Sequence, residues 1–402
     1  MLVLLTWATE GVYPLAVLAA AAGYGAWPAR WLLRGDSPAK RWTLATALGL
    51  GALVFLTLAL GLLGVMGRIP AWGLVGLGVV MGCVALSRED FRRVGDQAAT
   101  GVKLRVVLMI AGFALPATVG FIGATLPPGV LWVEEGRGYD ALEYHLQAPR
   151  EFYDADRITF LPHNVYASFP QQMETLYLLL MQLRGDAQLA AIPAQMLHLL
   201  CGALAIVAIG VWSPPGWPRL VATLTAVSAP WLVIVGTLAY VELGMLLFTA
   251  VACGLLLDQL RAERPDTRAM IAAGMAAGLA CGCKYTAIVL IAIAGWVSWM
   301  LLARAAWRNR AIGGAVFAVA AALTFAPWAA RNVAFTGDPV YPFGWRVFHG
   351  AAWSDAQVEQ WARGHRVPPE SASVAGRAKL AMRELFGSFE RSGPPSGQAV
   401  FR

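Results

Sequence analysis

Asp140, Glu143 and Tyr144 stand at i, i+3 and i+4 in the stretch GYDALEYHL, on one face of a helix if that stretch is helical, while Leu142, His145 and Leu146 form the neighbouring face. A carboxylate on such a face can take a proton from a hydroxyl. The same spacing has a structural meaning, with Asp140 as helix cap and Glu143 completing a capping box. Spacing alone leaves both open. His163 lies eighteen residues beyond His145, with the pair Glu134 and Glu135 before it. These histidines and acids are too few for a metal site by pattern, so no cofactor is expected, a divalent ion being the one addition they permit. Asp154-Ala155-Asp156 has the D-x-D spacing that can hold a metal against a diphosphate, but it precedes the extended-looking Arg157-Ile158-Thr159-Phe160 and reads better as a turn.

Farther along, Glu242 in LAYVELGMLLF is a carboxylate at the edge of an apolar run, where an uncompensated charge is costly. Lys284 in AAGLACGCKYTAIVL and Arg331 in PWAARNVAFTGDPVYPFGW are cations at the edges of two later runs. Each can be a snorkelling side chain. Together with the carboxylates they describe a site that holds a phosphate and activates a hydroxyl. His198 sits alone in an apolar run and is read as a packed or helix-bonding histidine.

The elements that must position these groups are membrane helices. Of 402 residues, 58% are hydrophobic and 14% charged, and the mean hydropathy is +0.59. Every backbone polar group in a bilayer must be paired, which helices do internally, and the alternating strands of a barrel do not occur. Apolar runs at about 9–27, 43–66, 70–86, 106–126, 189–212, 219–236, 240–257, 269–283, 285–302 and 311–329 give ten expected spans. The opening run lacks a basic flank and a cleavage site, so it reads as a retained span rather than a signal peptide. The five cysteines all fall in apolar stretches and imply no disulfide framework. The net charge of +7 is scattered between spans, not gathered on one face as nucleic-acid binding requires.

Orientation follows from the short loops. Arg30, Arg34, Lys40 and Arg41, then Arg88, Arg92, Arg93, Lys103 and Arg105, then Arg219, Arg261, Arg264, Arg268, Arg304, Arg308 and Arg310 share one side if there are ten spans, leaving Arg68 and Lys284 opposite. The polar loop 127–188, with nine acids and four arginines, is then periplasmic in the inner membrane of a bacterium. Its segment Gln171–Leu183, too short to span, is expected to lie along the outer membrane surface. The chain divides at this level into three spans with their loops (1–105), a core with the periplasmic loop (106–330) and a polar segment (331–402). That last segment is expected outside, although its nine basic residues would suit the cytoplasm, and the chain stops without a closing span, as a fragment would.

The order of these motifs over roughly residues 106–345 resembles the GT-C class of membrane glycosyltransferases, specifically the branch similar to bacterial protein O-mannosyltransferases and the aminoarabinose transferase. A span leads into a large outer loop with an acid near its start, in GYDALEYHL; FPQQMETLYLLLMQL is similar to the juxtamembrane helix of that class; the motifs around Glu242, Lys284 and Arg331 follow in order. The resemblance implies that Asp140 is the catalytic base and Glu242 the second outer acid. It implies that Lys284 and Arg331 face the donor phosphate; Glu143, Tyr144, His145 and His163, in the same outer loop, are expected to line the substrate site. The implied reaction is inverting transfer of a sugar from a polyprenyl-phosphate carrier to a lipid, glycan or protein acceptor, among membrane lipids and without nucleic acid. The chain departs from the pattern in having Asp140-Ala141 for a paired Asp-Glu, three spans before the first of the class and none of its later ones. Two other classes remain: a flippase or transporter, which would place polar groups at midplane on broken helices and show repeats, and a noncatalytic assembly protein using the loop as a docking surface.

Overall fold

The computed structural model describes residues 1–87, 102–132, 138–348, 352–366, 369 and 372–386. Arg88, Arg92, Arg93, Glu134 and Glu135, as well as the side chain of Lys103, lie outside the described residues. Two compact units are formed, Met1–His349 and Gly350–Arg402.

The first unit is all helical, with no strand among the described residues. It begins with α1 (Leu2–Glu10) and α2 (Val12–Leu32), which meet at a 42° bend. Pro14 explains it, because its ring cannot donate to the Glu10 carbonyl four residues back. Next come α3 (Pro38–Leu63), α4 (Arg68–Ser87) and α5 (Val102–Gly123). The polar loop then contributes a π-helical turn (Ala141–His145), α6 (Gln147–Asp154) and α7 (Gln172–Arg184). After α8 (Ala191–Trp212), α9 (Trp217–Val227) and α10 (Pro230–Gly236) form a second bent pair, broken by 58° where Pro230 interrupts the backbone bonding. The last elements are α11 (Glu242–Leu260), α12 (Thr267–Cys281), a π segment (Ile288–Ile293) leading into α13 (Ala294–Leu302), α14 (Trp307–Thr336) and the short α15 (Trp345–Phe348).

Six of these helices, α3, α4, α5, α8, α11 and α14, are long and apolar enough to cross a membrane, and counting each bent pair as one span gives eight. The chain is a multi-pass helical membrane protein. All ten expected runs are helical, but α12 has only 15 residues and Ile288–Leu302 is similarly short. At 1.5 Å per residue, 15 residues reach about 22 Å, less than the roughly 30 Å hydrocarbon core.

Small residues let the helices approach. A Cβ at Gly23 would lie 1.8 Å from the Gly78 carbonyl oxygen, and one at Gly49 would lie 1.6 Å from that of Ala21, so α2 meets both α4 and α3 backbone to backbone. The expected placement of Gln171–Leu183 on the membrane surface does not hold. Every residue of α7 from Gln172 to Leu183 is buried, and the helix packs against α3, α4, α6 and α8. Its run Leu176–Leu183 is apolar nearly all round, which is the pattern of a helix enclosed by protein rather than one floating half in water. The expected break after residue 330 also falls inside an element, since α14 continues to Thr336. Beyond it the chain folds back, with Asp338 and Tyr341 buried and Phe343 packed 5.7 Å from Phe169 and 5.5 Å from Tyr285, between ring centroids.

Contacts sort the polar groups of this unit into two layers. At one end of α11, Asp258 takes Lys40 at 2.5 Å and the Trp212 indole N–H at 3.1 Å, and the Arg304 amide donates to the Leu260 carbonyl at 2.9 Å. Arg268 lies 5.0 Å over the Trp31 ring. At the other end Glu242 pairs with Lys284, while around the top of α3 and α4 the Ile158 amide donates to the Gly61 carbonyl at 2.9 Å and Arg184 pairs with Glu10 at 3.0 Å. The basic loops that follow α2, α11 and α13 are thus at the end opposite the polar loop.

In the second unit, α16 (Asp355–Gly364) starts on a capping box between Ser354 and Gln357, and α17 runs from Val374 to Phe386.

The separation of layers makes a topological prediction. In a cysteine-free background, a cysteine at the exposed Pro162 should react with an impermeant thiol reagent on intact spheroplasts, and one at the exposed Glu263 only after permeabilisation. The reverse pattern would invert the orientation.

Candidate functional site

The polar loop enters the site through its π turn. Asp140 opens that turn with helical backbone and makes no side-chain cap hydrogen bond, so the capping box is not formed. Instead the i to i+5 bond from the Leu146 amide to the Ala141 carbonyl, at 2.9 Å, widens the turn. Tyr144 then reaches back over Asp140 and its hydroxyl donates to Oδ2 at 3.3 Å. Asp140 is half-buried and Glu143 exposed. Burial, followed by the charges of Asp140, Glu174 and Glu242, pushes the Tyr144 phenol far above its ordinary range, so it remains a donor.

His145 points the other way, into the protein. It is 2% exposed, and its Nδ1 lies 2.7 Å from Oε1 of Glu174 on α7, itself 3% exposed. The rings of Tyr144 and Tyr240 cover it at 4.0 and 5.4 Å between centroids.

The segment between α10 and α11 carries the second acid. Glu242 turns its Oε2 onto the Val241 amide at 3.1 Å, at the positive end of α11, and gives Oε1 to the Lys284 ammonium. His198 holds this segment in place. Its Nε2 accepts from the Leu243 amide at 2.9 Å and its Nδ1 donates to the Val235 carbonyl at 3.1 Å, which fixes the tautomer and matches the helix-bonding role expected of it. The Tyr177 hydroxyl donates to the Tyr240 carbonyl beside it. Lys284 follows a turn pressed against the start of α7, where the Gln172 amide donates to the Gly282 carbonyl at 3.0 Å. A Cβ at Gly282 would sit 2.7 Å from the Gln172 side-chain oxygen and 2.8 Å from the Trp328 indole nitrogen, so a larger residue there would displace both side chains. Burial would lower the pKa of Lys284, but Glu242, helped by the more distant Asp140 and Glu174, raises it and keeps the ammonium charged.

Asp140, Tyr144, His145, Glu242 and Lys284 therefore come together from three separate stretches of chain. Three of the expected residues do not join them. Glu143 is exposed on the outside of the π turn. His163 is exposed and pairs with Glu151 at 3.0 Å. Arg331 is buried and committed to the loop: its guanidinium donates to the carbonyls of Ser168 and Phe169 at 2.7 and 2.8 Å, to Gln171 at 3.2 Å and to Asn332 at 2.9 Å, and lies 5.2 Å over the Trp328 ring. This is a cation that ties α14 to the end of the loop, not one presented to a phosphate. Glu174 is the residue that sequence reasoning missed. Its signal was one acid inside the otherwise apolar METLYLLLM.

Asp154 ends α6 and Asp156 lies in the turn after it, both exposed, with Asp154 3.7 Å from Arg150 and Asp156 at φ +51. No group of three or more His, Cys, Asp or Glu among the described residues is placed to hold a metal ion. Below this layer an apolar crevice of about 880 Å³ runs between α2, α3, α12 and α14, from Tyr24 and Pro28 to Phe55, Thr324 and Pro327. It ends one helical turn from Arg331.

No protein-family model, curated protein or solved structure matches the chain.

The placement of Arg331 carries a prediction about stability. Arg331→Met removes the donor shared by the Ser168 and Phe169 carbonyls and should cost on the order of 3 kcal/mol, seen as a lower melting temperature in detergent and faster proteolysis within 158–171. A variant as stable and as protease-resistant as the parent would contradict the anchoring role.

Proposed function

We propose that this protein is a membrane glycosyltransferase of ten spans that moves a sugar from a polyprenyl-phosphate carrier to an acceptor hydroxyl at the outer face, with Asp140 as general base. One observation carries the reading: Asp140 is not used as a helix cap but is held by Tyr144, half-buried, in the same layer as the Glu242–Lys284 pair. A base needs a carboxylate that is positioned yet reachable, and a departing phosphate needs a nearby cation.

In this mechanism the acceptor hydroxyl gives its proton to Asp140 as its oxygen attacks the anomeric carbon. The bond from that carbon to the phosphate oxygen breaks, and the pair of electrons leaves with the lipid phosphate. Lys284 stabilises the phosphate, exchanging part of its contact with Glu242 for the new anion. Glu242 then sets the strength of that contact rather than touching the phosphate itself. Tyr144 keeps one Asp140 oxygen occupied so that the other faces the acceptor. The carrier already lies in the bilayer, and the apolar crevice ending near Pro327 suits an isoprenoid chain. Ten spans are supported by α12 and α13, whose connecting turn brings Lys284 to Glu242 at one end of α11 while Arg304 meets Leu260 at the other. A bacterial inner membrane supplies both the carrier and an outer face without nucleotides.

The test is incubation of purified protein in nanodiscs with a labelled polyprenyl-phosphate sugar and candidate acceptors. Transfer is the expected result. Movement of the lipid between leaflets without transfer would instead favour a flippase, and neither would favour an assembly protein.

Two variants follow. Asparagine has the size of aspartate and can still accept from the Tyr144 hydroxyl but cannot take the proton, so Asp140→Asn should insert normally and lose transfer by roughly a hundredfold or more; transfer within a fewfold of the parent would remove Asp140 from the chemistry. Lys284→Met should weaken donor use about tenfold to a hundredfold, with acceptor use less affected. A donor titration matching the parent would make Lys284 a partner of Glu242 only.

A further inference from the structure

Glu174 and His145 form an ion-pair geometry inside the protein, 3% and 2% exposed, with a 2.7 Å contact that requires a proton on the line between them. Each still has one buried polar atom without a hydrogen-bond partner, Oε2 of Glu174 and Nε2 of His145. A pair bought for stability alone would be poorly built this way, because each unmet group costs free energy and an apolar replacement of similar volume usually does as well. The arrangement instead resembles a lever. Glu174 sits on α7, enclosed on all sides and therefore rigid. His145 closes the π turn that begins at Asp140. Between them stands Tyr144, with its ring 4.0 Å from the His145 ring and its hydroxyl on Asp140.

We propose that Glu174 is a positioning residue for Asp140, acting through the His145 imidazole and the Tyr144 phenol. The inference rests on the transferase reading for its consequence and on this geometry for its parts. Glu174 fixes the Nδ1–H tautomer and the plane of His145; the imidazole, gripped between the rings of Tyr144 and Tyr240, sets where the Tyr144 hydroxyl points; the hydroxyl sets the Asp140 carboxylate. Among the described residues, the titratable groups Glu242 from the start of α11 and His198 from α8 also interact with it electrostatically. Each has its own partner, Lys284 for Glu242 and backbone for His198. That leaves Glu174 as the acid bonded to the imidazole. No bond of the substrate is made or broken by Glu174.

Glu174→Gln keeps the volume of the side chain and removes its charge. It should lower kcat for sugar transfer about tenfold or more and leave the donor KM within roughly twofold, since the groups facing the phosphate are untouched. Tyr144→Phe, which removes the hydroxyl and keeps the ring, should lower kcat similarly, and the double variant should fall no further than about the worse single one, because both cut the same chain. A direct readout comes from protein labelled with 15N-histidine, whose five histidines include His145, assigned with a His145→Gln variant. The parent should show a strongly hydrogen-bonded Nδ1 proton that returns toward the ordinary imidazole range in Glu174→Gln. An unaltered His145 signal, an unaltered kcat, or additive losses in the double variant would each overturn the inference while a transferring parent protein leaves the enzyme reading standing. A parent that transfers no sugar would overturn the enzyme reading and the catalytic role of Glu174 with it.

Discussion

Charge placed among apolar helices must be paired, and the cost of leaving it unpaired governs how this protein is organised at the end that carries its polar loop. Glu174 on a fully enclosed helix obliges a partner to come to it, and His145 comes from the π turn of the loop. That single contact brings Asp140 and Tyr144 to the edge of the helical bundle instead of leaving them in an untethered loop. The same requirement acts a second time at Glu242, where the positive end of α11 and Lys284 satisfy the carboxylate from two directions. It acts a third time at Arg331, whose charge has no acid in hydrogen-bonding range among the described residues and is satisfied by carbonyls, an amide and an indole face. Two pieces of loop, 141–145 and 165–171, are thereby fixed by charges on helices, and a third, 238–243, by the Lys284 ammonium in the turn after α12.

The two cations expected at the site part company for the same reason. Lys284 has a flexible stem and one strong partner that a phosphate can compete with, and it remains partly open. Arg331 presents several donors in a plane, all within reach of buried oxygens, and moving it would strand those oxygens. A lysine can be shared between an acid and a ligand; a guanidinium locked to two carbonyls is part of the scaffold. Residues of one charge in one layer can therefore have opposite duties, and only their partners tell them apart.

Much of this was visible in the sequence. The ten apolar runs are all helical, because hydropathy and the need to pair backbone groups leave little choice. Glu242 and Lys284 were expected in one layer from their positions at the edges of runs, and Asp140 in the same layer from the outer loop that carries it. The role of His198 as a backbone clamp followed from its isolation in an apolar helix. What escaped was decided by tertiary contacts. The segment METLYLLLM reads as amphipathic when Glu174 is assumed to face water; in the fold α3, α4, α6 and α8 enclose it, and His145, twenty-nine residues earlier, meets its one acid. The capping box at Asp140 and Glu143 has the right residues at the right spacing, but a π turn, which no local pattern announced, aims both side chains elsewhere. His163 looked equivalent to His145 by type and loop, yet Glu151 one helix away holds it at the surface.

The central claim is that the outer layer around Asp140 and Lys284 is where a lipid-linked sugar reacts. A cryo-EM structure of the Asp140→Asn protein in nanodiscs with a polyprenyl-phosphate sugar tests it most directly, since the substitution should trap the donor unreacted. The account predicts the phosphate within hydrogen-bonding distance of the Lys284 ammonium, the anomeric carbon turned toward residue 140 and the lipid chain descending along the crevice between α3 and α14. A donor bound at the opposite, basic end near Lys40 and Asp258, or at midplane away from residue 140, would contradict it.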